Sequence, residues 1–466
     1  EIHSGDWSSD VCSSDLDTNG SKPRLVVVGG DAAGMSAASQ AKRRMKELEV
    51  VVFEAGPYIS YAACGMPFMI ADTIQDPNSL VIVDPQKARE KRGLDVRPEH
   101  RVIGLDAKNK VVSFKRRGST DVESLSFDRL VLATGARATV PPVPGVQLQG
   151  VFLLRNFEQG LAIKDHLAAE SPRNVVIVGA GLVGLEMADA FRKKGLHVTL
   201  LKSSNSPLLE LEPRLSEVVE QELVKNECVL LKNSPLEAIE DDGQGKVAKV
   251  KAGGETLDTS MVLIATGVRP ATTLAEEAGL ALGAKGALAV DEHLASSNES
   301  IYGAGDCTEQ VHRVSREKVF LSQAQAANRQ GRIAGANVVA SLKGQPASMT
   351  HPGTMGTVLT TVFDLEVALT GLSVKQAAAA GFEPRFTFIT DHSRAGYFPG
   401  AQPIHVGLVY EAVTGRLLGA QMVGREGVAK RIDIISTALD AGMDLQRLSD
   451  LDLSYCPPAA PPWDPV

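Results

Sequence analysis

The sequence lacks the features that would tie it to a membrane or to a nucleic acid. No apolar run in its 466 residues approaches the length of a membrane span. The net charge is −8 and no dense basic cluster occurs, which argues against nucleic acid as a partner. Charged residues make up 22% of the chain, and the mean hydropathy is close to zero. The length and composition predict a soluble globular protein with two or three domains.

Cysteine is also scarce, and the sequence contains no obvious metal site. The nine histidines form no close pair with metal-ligand spacing, so we expect no structural metal. The cysteines are too scattered for a disulfide framework, which favours a reducing cytoplasm. There are five of them: Cys12, Cys64, Cys228, Cys307 and Cys456.

The stretch ISYAACGMPF (59–68) contains a cysteine without a second one nearby. A dithiol enzyme would place another sulfur a few residues away, as in C-x-x-C. Pro67 fits the first turn of a helix, which puts Cys64 just before a helix N-terminus. The free N–H groups there would favour the nucleophilic thiolate. The alternative is a buried, unreactive core thiol.

Two segments combine a buried strand, a glycine turn, a helix and a second strand. The first turn contains Gly29, Gly30 and Gly34, and Glu54 follows at the end of the next strand. The second turn is a complete G-x-G-x-x-G with Gly179, Gly181 and Gly184, whereas Asp31 replaces the middle glycine of the first. Such turns let a pyrophosphate approach a helix N-terminus, while the acid binds a ribose. Two copies in one chain predict two dinucleotide-binding domains.

The remaining patterns predict an α/β fold with one Rossmann-like domain inserted in another. Two strands end in Ala-Thr-Gly, at 133–135 and 265–267, where the chain would leave each dinucleotide domain. Alternating segments after His351 indicate a C-terminal α+β domain. The predicted parts are a dinucleotide-binding domain at 22–150 and 285–350, a second dinucleotide-binding domain inserted at 151–284 and a C-terminal domain at 351–466.

Both ends of the sequence are unusual. Residues 1–16 resemble the translation of a sequencing-library adapter, so we interpret 1–21 as a non-native or disordered leader. The abrupt end at Val466 is typical of a truncated terminus.

These motifs together resemble the pyridine nucleotide-disulfide oxidoreductases over about 22–466. SYAACGMPF (60–68), ANRQGRIAG (327–335) and the C-terminal LDLSYCPPAAPPWDPV (451–466) are similar to the single-cysteine branch of that family. That branch contains coenzyme A disulfide reductases, water-forming NADH oxidases, and persulfide or polysulfide reductases. The pattern here is closest to the coenzyme A disulfide reductases.

The resemblance implies that the outer domain (22–150 and 285–350) binds FAD, that the inserted domain (151–284) binds NAD(P)H and that residues 351–466 form a dimerisation domain. It also implies roles for specific residues. Cys64 is the implied redox cysteine, and Tyr397 and Tyr455 are implied to reach the cysteine of the opposite subunit in a homodimer. Arg43, Arg44 and Arg92 are candidates for the phosphates of coenzyme A, and Ser60 for its pantetheine arm. The implied FAD contacts are Gly29, Gly30, Gly34, Glu54, Thr134, Gly135 and Asp306. The implied NAD(P)H contacts are Gly179, Gly181, Gly184, Glu186, Lys202, Ser203 and Gly267.

Lys202 departs from the usual NADH pattern, in which an acid ends the second strand of the cradle. An acid accepts hydrogen bonds from a ribose 2′-hydroxyl and repels a 2′-phosphate, whereas a lysine pairs with that phosphate. With Ser203 and Ser204 as further donors, Lys202 therefore predicts NADPH over NADH.

The implied reaction is the FAD-dependent reduction of coenzyme A disulfide, with a Cys64–coenzyme A mixed disulfide as the oxidised state. Three alternatives stay open at this stage. One is an NAD(P)H oxidase that reduces oxygen through a sulfenic acid on Cys64. The second is a persulfide or polysulfide reductase that uses the same bound coenzyme A. The third, of another class, is a redox-sensing or electron-transfer flavoprotein without a thiol substrate.

Overall fold

The computed structural model describes residues 22–206 and 208–466, so the predicted leader at 1–21 lies outside the described residues. Two parallel sheets with flanking helices are followed by a C-terminal antiparallel sheet. No helix in the described part of the chain is both long and apolar enough to cross a bilayer.

The first unit is built on a five-stranded parallel sheet. With the strands numbered along the chain, their order in the sheet is β18-β7-β1-β2-β3, where β18 is Ile301–Gly303. Its first part has strands β1 Arg24–Val28, β2 Glu49–Phe53, β3 Asp95–Arg97, β4 His100–Asp106, β5 Val111–Arg116, β6 Glu123–Ser126, β7 Arg129–Leu132 and β8 Ala136–Ala138, and helices α1 Ala32–Arg44, α2 Met66–Ile70 and α3 Pro85–Arg92. The central strands are valine-rich and buried, as expected of a parallel sheet covered on both faces.

The second unit repeats this layout in a sheet ordered β9-β16-β10-β11-β12. Its strands are β9 Val151–Leu153, β10 Asn174–Val178, β11 His197–Leu201, β12 Cys228–Leu231, β13 Leu236–Asp241, β14 Val247–Ala252, β15 Glu255–Asp258, β16 Val262–Ile264 and β17 Val268–Pro270, and its helices are α4 Phe157–Glu170, α5 Leu182–Lys193, α6 Pro213–Lys225 and α7 Thr273–Glu277. The predicted insertion of one dinucleotide domain in another is therefore the observed architecture.

The chain then returns to the first unit and ends in the antiparallel sheet β21-β22-β25-β24-β23. The returning elements are β18 Ile301–Gly303, β19 Gln310–Val311, β20 Lys318–Val319 and α8 Ala324–Leu342. The C-terminal elements are β21 Val358–Val362, β22 Leu365–Gly371, β23 Pro384–His392, β24 Pro403–Glu411, β25 Leu417–Gly424, α9 Val374–Ala379, α10 Val428–Asp440 and α11 Leu445–Ser449. The predicted α+β character of this domain is confirmed.

One predicted boundary differs from the packing. The sequence assigned 151–284 to the second unit, but α7 packs against β4 of the first unit. Ala275 and Leu280 lie in the hydrophobic core of that first unit. The chain thus leaves the second unit soon after β17, because the apolar residues that follow complete the first core.

Helix α8 lies directly on α1, and two glycines explain the close approach. A Cβ on Gly331 would lie 2.2 Å from the carbonyl oxygen of Ala33, and one on Gly335 would lie 2.3 Å from that of Ala37. Only glycine fits at such a contact. The ANRQGRIAG stretch therefore has a packing role, and it brings the polar face of α8 beside that of α1.

Candidate active site

The two glycine turns have the geometry of dinucleotide cradles. Gly29 (φ +114°) and Gly179 (φ +111°) follow β1 and β10 in a conformation that favours glycine. A Cβ on Gly34 or Gly184 would lie 1.8 or 2.0 Å from the carbonyl oxygen of Gly29 or Gly179, respectively. Helices α1 and α5 thus start against the strand ends with free N–H groups. Both turns fit the pyrophosphate of a dinucleotide.

The residue that caps the helix differs between the two turns. Gly181 caps α5, and a Cβ there would meet nothing within 4 Å, which leaves the helix N-terminus open. Asp31 caps α1 at the corresponding position. Burial, together with the charge of Glu54, raises the pKa of the Asp31 carboxyl to about 6, and the backbone N–H of Ala32 and the Arg155 guanidinium only partly offset the rise. The sequence showed that Asp31 replaces a glycine, but it did not predict the raised pKa of the Asp31 carboxyl.

Glu54 binds the first turn from the end of β2. Its carboxylate oxygens accept hydrogen bonds from the backbone N–H groups of Gly30 and Gly56, each at 2.8 Å. Each carboxylate oxygen has a further lone pair, so Glu54 can also accept a ribose hydroxyl. The predicted ribose contact stays a prediction.

Asp306 follows β18 and is held by a cation that sequence reasoning missed. Arg155 donates from Nη2 to Asp306 Oδ2 at 2.6 Å and from Nε to the carbonyl oxygen of Ala136 at 3.1 Å. Ser322 also donates to the Asp306 carboxylate. Arg155 lies just before α4, 151 residues from Asp306, and no motif marks it. It is the cation that faces both Asp31 and Asp306 in this cradle.

The two Ala-Thr-Gly turns bind each other across the domain junction. Strands β8 and β17, which follow the turns, pair antiparallel. Thr134 donates its hydroxyl to the carbonyl oxygen of Ala271 at 2.7 Å, and Thr266 donates to that of Thr139 at 2.6 Å. Both hydrogen bonds therefore stabilise the segments through which the chain passes between the two units.

Cys64 lies on a short 3-10 turn, Ala63–Gly65, that leads into α2 with Pro67 in its first turn. This is the predicted position before a helix N-terminus. The expected lowering of the pKa is wrong, however, because burial raises the pKa of the Cys64 thiol, Glu186 raises it further, and Arg155 only partly offsets this. Helix α2 has just five residues, so its N-terminal field is weak. The side chain is exposed and accessible to a reagent, although the surrounding protein removes enough water to raise the pKa.

On the other side of the junction, Glu186 of α5 accepts a hydrogen bond from Thr360 of β21 at 2.7 Å. Burial raises the pKa of Glu186, and this hydrogen bond lowers it in part. The acid predicted to lie beside the nicotinamide is therefore partly buried between the second unit and the C-terminal domain.

Lys202 directly follows β11, beside the exposed Ser203. Its neighbour Lys232 is paired with Glu220 at 2.6 Å. Across residues 22–206 and 208–466, no carboxylate lies within ion-pair distance of Lys202. The lysine is thus available to an anionic ligand.

A cavity of about 670 Å³ brings together Ser60, Arg43 and Arg92, three of the four predicted substrate-binding residues. It lies between α1, α3 and α8, and Arg92 donates to Ser39 at 3.2 Å within it. Arg44, by contrast, turns away from the cavity and donates to Ser348 at 3.1 Å. The prediction that included Arg44 is therefore wrong, because successive residues of a helix point in different directions.

The cavity is lined by more cations than the sequence suggested. Its six cationic residues are Lys42, Arg43, Lys46, Lys91, Arg92 and Arg332. No acid is among the lining residues. Arg332 was missed because only the packing of α8 on α1 brings it beside Arg43. Ser60, one of the lining residues, precedes Cys64 by four residues along the chain.

Tyr397 and Tyr455 come from different segments and meet at their hydroxyl groups. Tyr397 lies in the loop before β24, and Tyr455 in the tail after α11. The hydroxyl oxygens are 3.1 Å apart, and this hydrogen bond raises the pKa of Tyr455. Their side chains are 75% and 51% exposed in the single chain. The two predicted tyrosines thus form one exposed phenol pair.

An accessible cysteine beside two dinucleotide cradles, with a separate C-terminal α+β domain, defines a two-nucleotide oxidoreductase. The model of the pyridine nucleotide-disulphide oxidoreductase family matches residues 23–331, and the dimerisation domain of that family matches residues 357–464. The chain belongs to the pyridine nucleotide-disulphide oxidoreductase family. Membership implies FAD and a nicotinamide nucleotide as cofactors, and the dimerisation domain indicates a homodimer.

Curated relatives resemble the chain over nearly its whole length. An NAD(P)H coenzyme A polysulfide/persulfide reductase of Pyrococcus horikoshii is 34% identical over 446 residues, which cover 96% of this chain and 97% of that protein. An NADH oxidase of Methanocaldococcus jannaschii is 33% identical and covers 95% and 97%. A coenzyme A disulfide reductase of Staphylococcus aureus is 29% identical and covers 95% and 98%.

Two solved structures have the same fold. The reduced CoADR-RHD of Bacillus anthracis has a TM-score of 0.91 at 32% identity, over 96% of this chain and 79% of that one. The NAD-dependent persulfide reductase from A. fulgidus has a TM-score of 0.90 at 34% identity, over 95% and 81%. These relatives share a fold but carry names for different acceptors.

None of these findings tests the individual roles predicted from the sequence. Those roles therefore stay predictions for Gly29, Gly30, Gly34, Glu54, Thr134, Gly135, Asp306, Gly179, Gly181, Gly184, Glu186, Lys202, Ser203, Gly267, Ser60, Arg43, Arg92, Cys64, Tyr397 and Tyr455.

Proposed function

We propose that this protein uses NADPH to reduce coenzyme A disulfide, or a persulfide or polysulfide linked to coenzyme A, through FAD and the single Cys64. The observation that carries the proposal is the cavity with six cations and no acid beside Ser60. Coenzyme A is a phosphate-rich nucleotide with a long neutral arm that ends in a thiol. Cations suit its phosphates. The position of Ser60 in this cavity, four residues before Cys64, supports a contact with the arm.

The residues around the first cradle fit FAD. The N-terminus of α1 would bind its pyrophosphate, Glu54 a ribose, and Asp306 the ribityl hydroxyls. FAD, when bound, supplies the transfer of electrons from the nicotinamide to sulfur. The protein supplies the position of Cys64 and the charge balance, in which Arg155 offsets the surrounding carboxylates.

Cys64 completes its redox pair with a second sulfur from coenzyme A. Two electrons cleave the mixed disulfide, and one coenzyme A leaves as a thiol after protonation. The Cys64 thiolate then attacks an incoming coenzyme A disulfide, which restores the mixed disulfide and releases the second coenzyme A thiolate. The raised pKa of Cys64 makes its protonated form more stable, so Arg155 is the residue that favours the thiolate.

The finer assignments rest on two further observations. Lys202 is available to a 2′-phosphate, which supports NADPH over NADH. The exposed phenol pair supports a shared site, in which Tyr397 and Tyr455 of one subunit protonate a leaving thiolate at Cys64 of the other. A reducing cytoplasm is the compartment that suits this thiol chemistry.

A second candidate is an NAD(P)H oxidase that reduces oxygen through a sulfenic acid on Cys64. It is favoured by the accessible lone cysteine and by the similarity to an NADH oxidase. A plain electron-transfer flavoprotein would need neither Cys64 nor the cationic cavity.

Intact-mass spectrometry of the purified native protein tests the proposal directly. We expect a coenzyme A adduct on Cys64 that NADPH removes with release of one coenzyme A per subunit. Cys64→Ser should lack the adduct and lose disulfide reduction. Rapid NADPH oxidation by air without an adduct would support the oxidase, and turnover that is unaffected by Cys64→Ser would support plain electron transfer.

A further inference from the structure

The two tyrosine-bearing segments meet at a buried ion pair to which the reaction assigns no role. Arg431 of α10 and Asp464 near the end of the chain have side chains that are only 1% and 5% exposed. Arg431 Nε donates to Asp464 Oδ1 at 2.9 Å, and Nη2 donates to Oδ2 at 3.0 Å. This bidentate geometry fixes direction as well as distance.

The same guanidinium also holds the other segment. Its Nη2 donates to the carbonyl oxygen of Ser393 at 3.0 Å, and its Nη1 donates to that of Gly427 at 3.2 Å. Ser393 begins the tyrosine loop (residues 393–402), which contains Tyr397. Asp464 lies in the tail (residues 451–466), which contains Tyr455.

Further contacts make the loop and the tail one unit. The N–H of Ala395 donates to the carbonyl oxygen of Pro457 at 3.3 Å, which joins the two segments directly. Glu426 accepts from the Ser393 hydroxyl at 2.8 Å and from Arg394 Nε at 2.7 Å. At the exposed edge of this unit, the two phenol oxygens are 3.1 Å apart.

We propose that Arg431 and Asp464 form a latch that sets the position of Tyr397 relative to Tyr455, so that the phenol pair can serve a thiolate at the partner's active site. The proposal rests on the proposed function, because the tyrosines matter only if they act on a leaving thiolate. Arg431 and Asp464 are positioning residues, since both are buried behind the loop. A hydrophobic contact would fill the same space, but it would not fix the register of the tail against the loop.

The first test is Asp464→Asn, which keeps the shape and removes the charge. We expect kcat for coenzyme A disulfide to fall about tenfold, since small misplacements of reacting groups have large effects on rate. KM should be unchanged, because the cationic cavity lies in another domain. Amide hydrogen exchange should rise in the tyrosine loop and the tail.

A double-mutant cycle separates positioning from general destabilisation. In a Tyr455→Phe background, Asp464→Asn should have little further effect on kcat, because the group that it positions is already lost. An equal loss of kcat in that background would overturn the latch. Unchanged hydrogen exchange in both segments would overturn it as well.

Two further variants keep the test decisive. Val250→Ala removes buried side-chain atoms from β14 in the core of the second unit, whose cluster contains no residue of the tyrosine loop or the tail, so it should lower thermal stability without changing kcat. If Asp464→Asn does not fold, the double variant Arg431→Met/Asp464→Leu replaces the pair by apolar groups, which proteins often tolerate. This double variant should fold, lose the hydrogen bond to the carbonyl oxygen of Ser393 and show the same fall in kcat. Full activity in the double variant would overturn the latch.

The outcomes also distinguish the latch from the proposed function. If Tyr397→Phe and Tyr455→Phe lose activity and Asp464→Asn does not, only the latch is overturned. If both tyrosine variants are fully active, the tyrosines' part in the proposed function fails and the latch fails with it.

Discussion

At the scale of single residues, the protein differs from a simple pair of nucleotide cradles at Asp31. Gly181 leaves the N-terminus of α5 open, whereas Asp31 brings a carboxyl to the N-terminus of α1. Glu54 and Arg155 shift the pKa of Asp31 in opposite directions, so a pyrophosphate bound there would come near two carboxyls and one cation. The charge of Asp31 therefore bears on how tightly the first cradle holds FAD.

The Asp31 carboxyl should make FAD binding dependent on pH. Its pKa in the folded chain, about 6, is above the ordinary value, so the carboxyl is neutral below that pH and gains a negative charge as the pH rises through it. The charge repels a pyrophosphate, so FAD affinity should fall between pH 5.5 and pH 8. Asp31→Asn should flatten this dependence and bind FAD about tenfold more tightly at pH 8, the equivalent of one pKa unit.

Quenching of flavin fluorescence on binding to the apoprotein measures this affinity without any turnover. The same slope with pH in Asp31→Asn would show that a group other than Asp31 sets the dependence.

Lys202 is the residue that we predict to set the preference between NADPH and NADH, through its single charge. Lys202→Glu should repel the 2′-phosphate of NADPH and accept a hydrogen bond from the ribose of NADH. We expect the ratio of kcat/KM for NADPH to that for NADH to fall by about tenfold or more. Steady-state kinetics with both nucleotides measure the ratio, and a wild-type preference for NADH would disprove the role of Lys202.

At the scale of elements, the cationic cavity depends on helix packing. Gly331 and Gly335 let α8 lie on the backbone of α1, and that contact brings Arg332 beside Arg43. The three helices thus contribute cations from separate parts of the chain to one site. Long side chains with this density of like charge are stable together only in water or against an anion.

Two adjacent arginines of α1 provide a matched test of the cavity. Arg43 lines it, whereas Arg44 turns away to Ser348. Arg43→Ala should raise KM for coenzyme A disulfide by about tenfold, the effect of losing one charge-assisted phosphate contact. Arg44→Ala should leave KM unchanged. Equal effects of the two substitutions would place the substrate elsewhere.

The sequence predicted those features of the site that depend on residues close together in the chain, and it missed those that depend on residues far apart. The glycine turns, the position of Cys64 before α2 and the cationic face of α1 follow from short-range spacing, and the structure places these elements as expected. Arg155 was missed because its partner Asp306 is 151 residues away. The pKa of Cys64 was predicted in the wrong direction because burial, the main cause of the rise, and the charge of Glu186 from another unit both arise only in the folded chain. Local rules do not include charges that the tertiary fold brings in.

At the scale of the whole molecule, several polar contacts join the three units. Asp72, just after α2, pairs with Lys164 and Lys194 of the second unit. Glu222 of that unit is buried against Arg425 of the C-terminal domain. The chain is thereby held as one body, with the phenol pair exposed at its surface. Exposed tyrosines on a dimerisation domain fit an active site that is completed by a second copy.

Subunit mixing tests whether the site is shared. Cys64→Ser lacks the sulfur but keeps its tyrosines, whereas Tyr397→Phe/Tyr455→Phe keeps the sulfur and lacks the phenols. In a mixed dimer, the intact Cys64 of the second variant faces the intact tyrosines of the first, so one of the two sites is complete. Random exchange makes about half of the dimers mixed, so about a quarter of wild-type activity should return.

Separate solutions of each variant, measured before mixing and after co-refolding, provide the controls. If each subunit used its own tyrosines, the mixed dimer would contain no complete site, and activity would stay at the mean of the two variants. Recovery therefore requires that the phenols of one chain act at the sulfur of the other. The same mixture made with Asp464→Asn in the Cys64→Ser chain should recover about tenfold less, because the latch then fails in the chain that supplies the phenols.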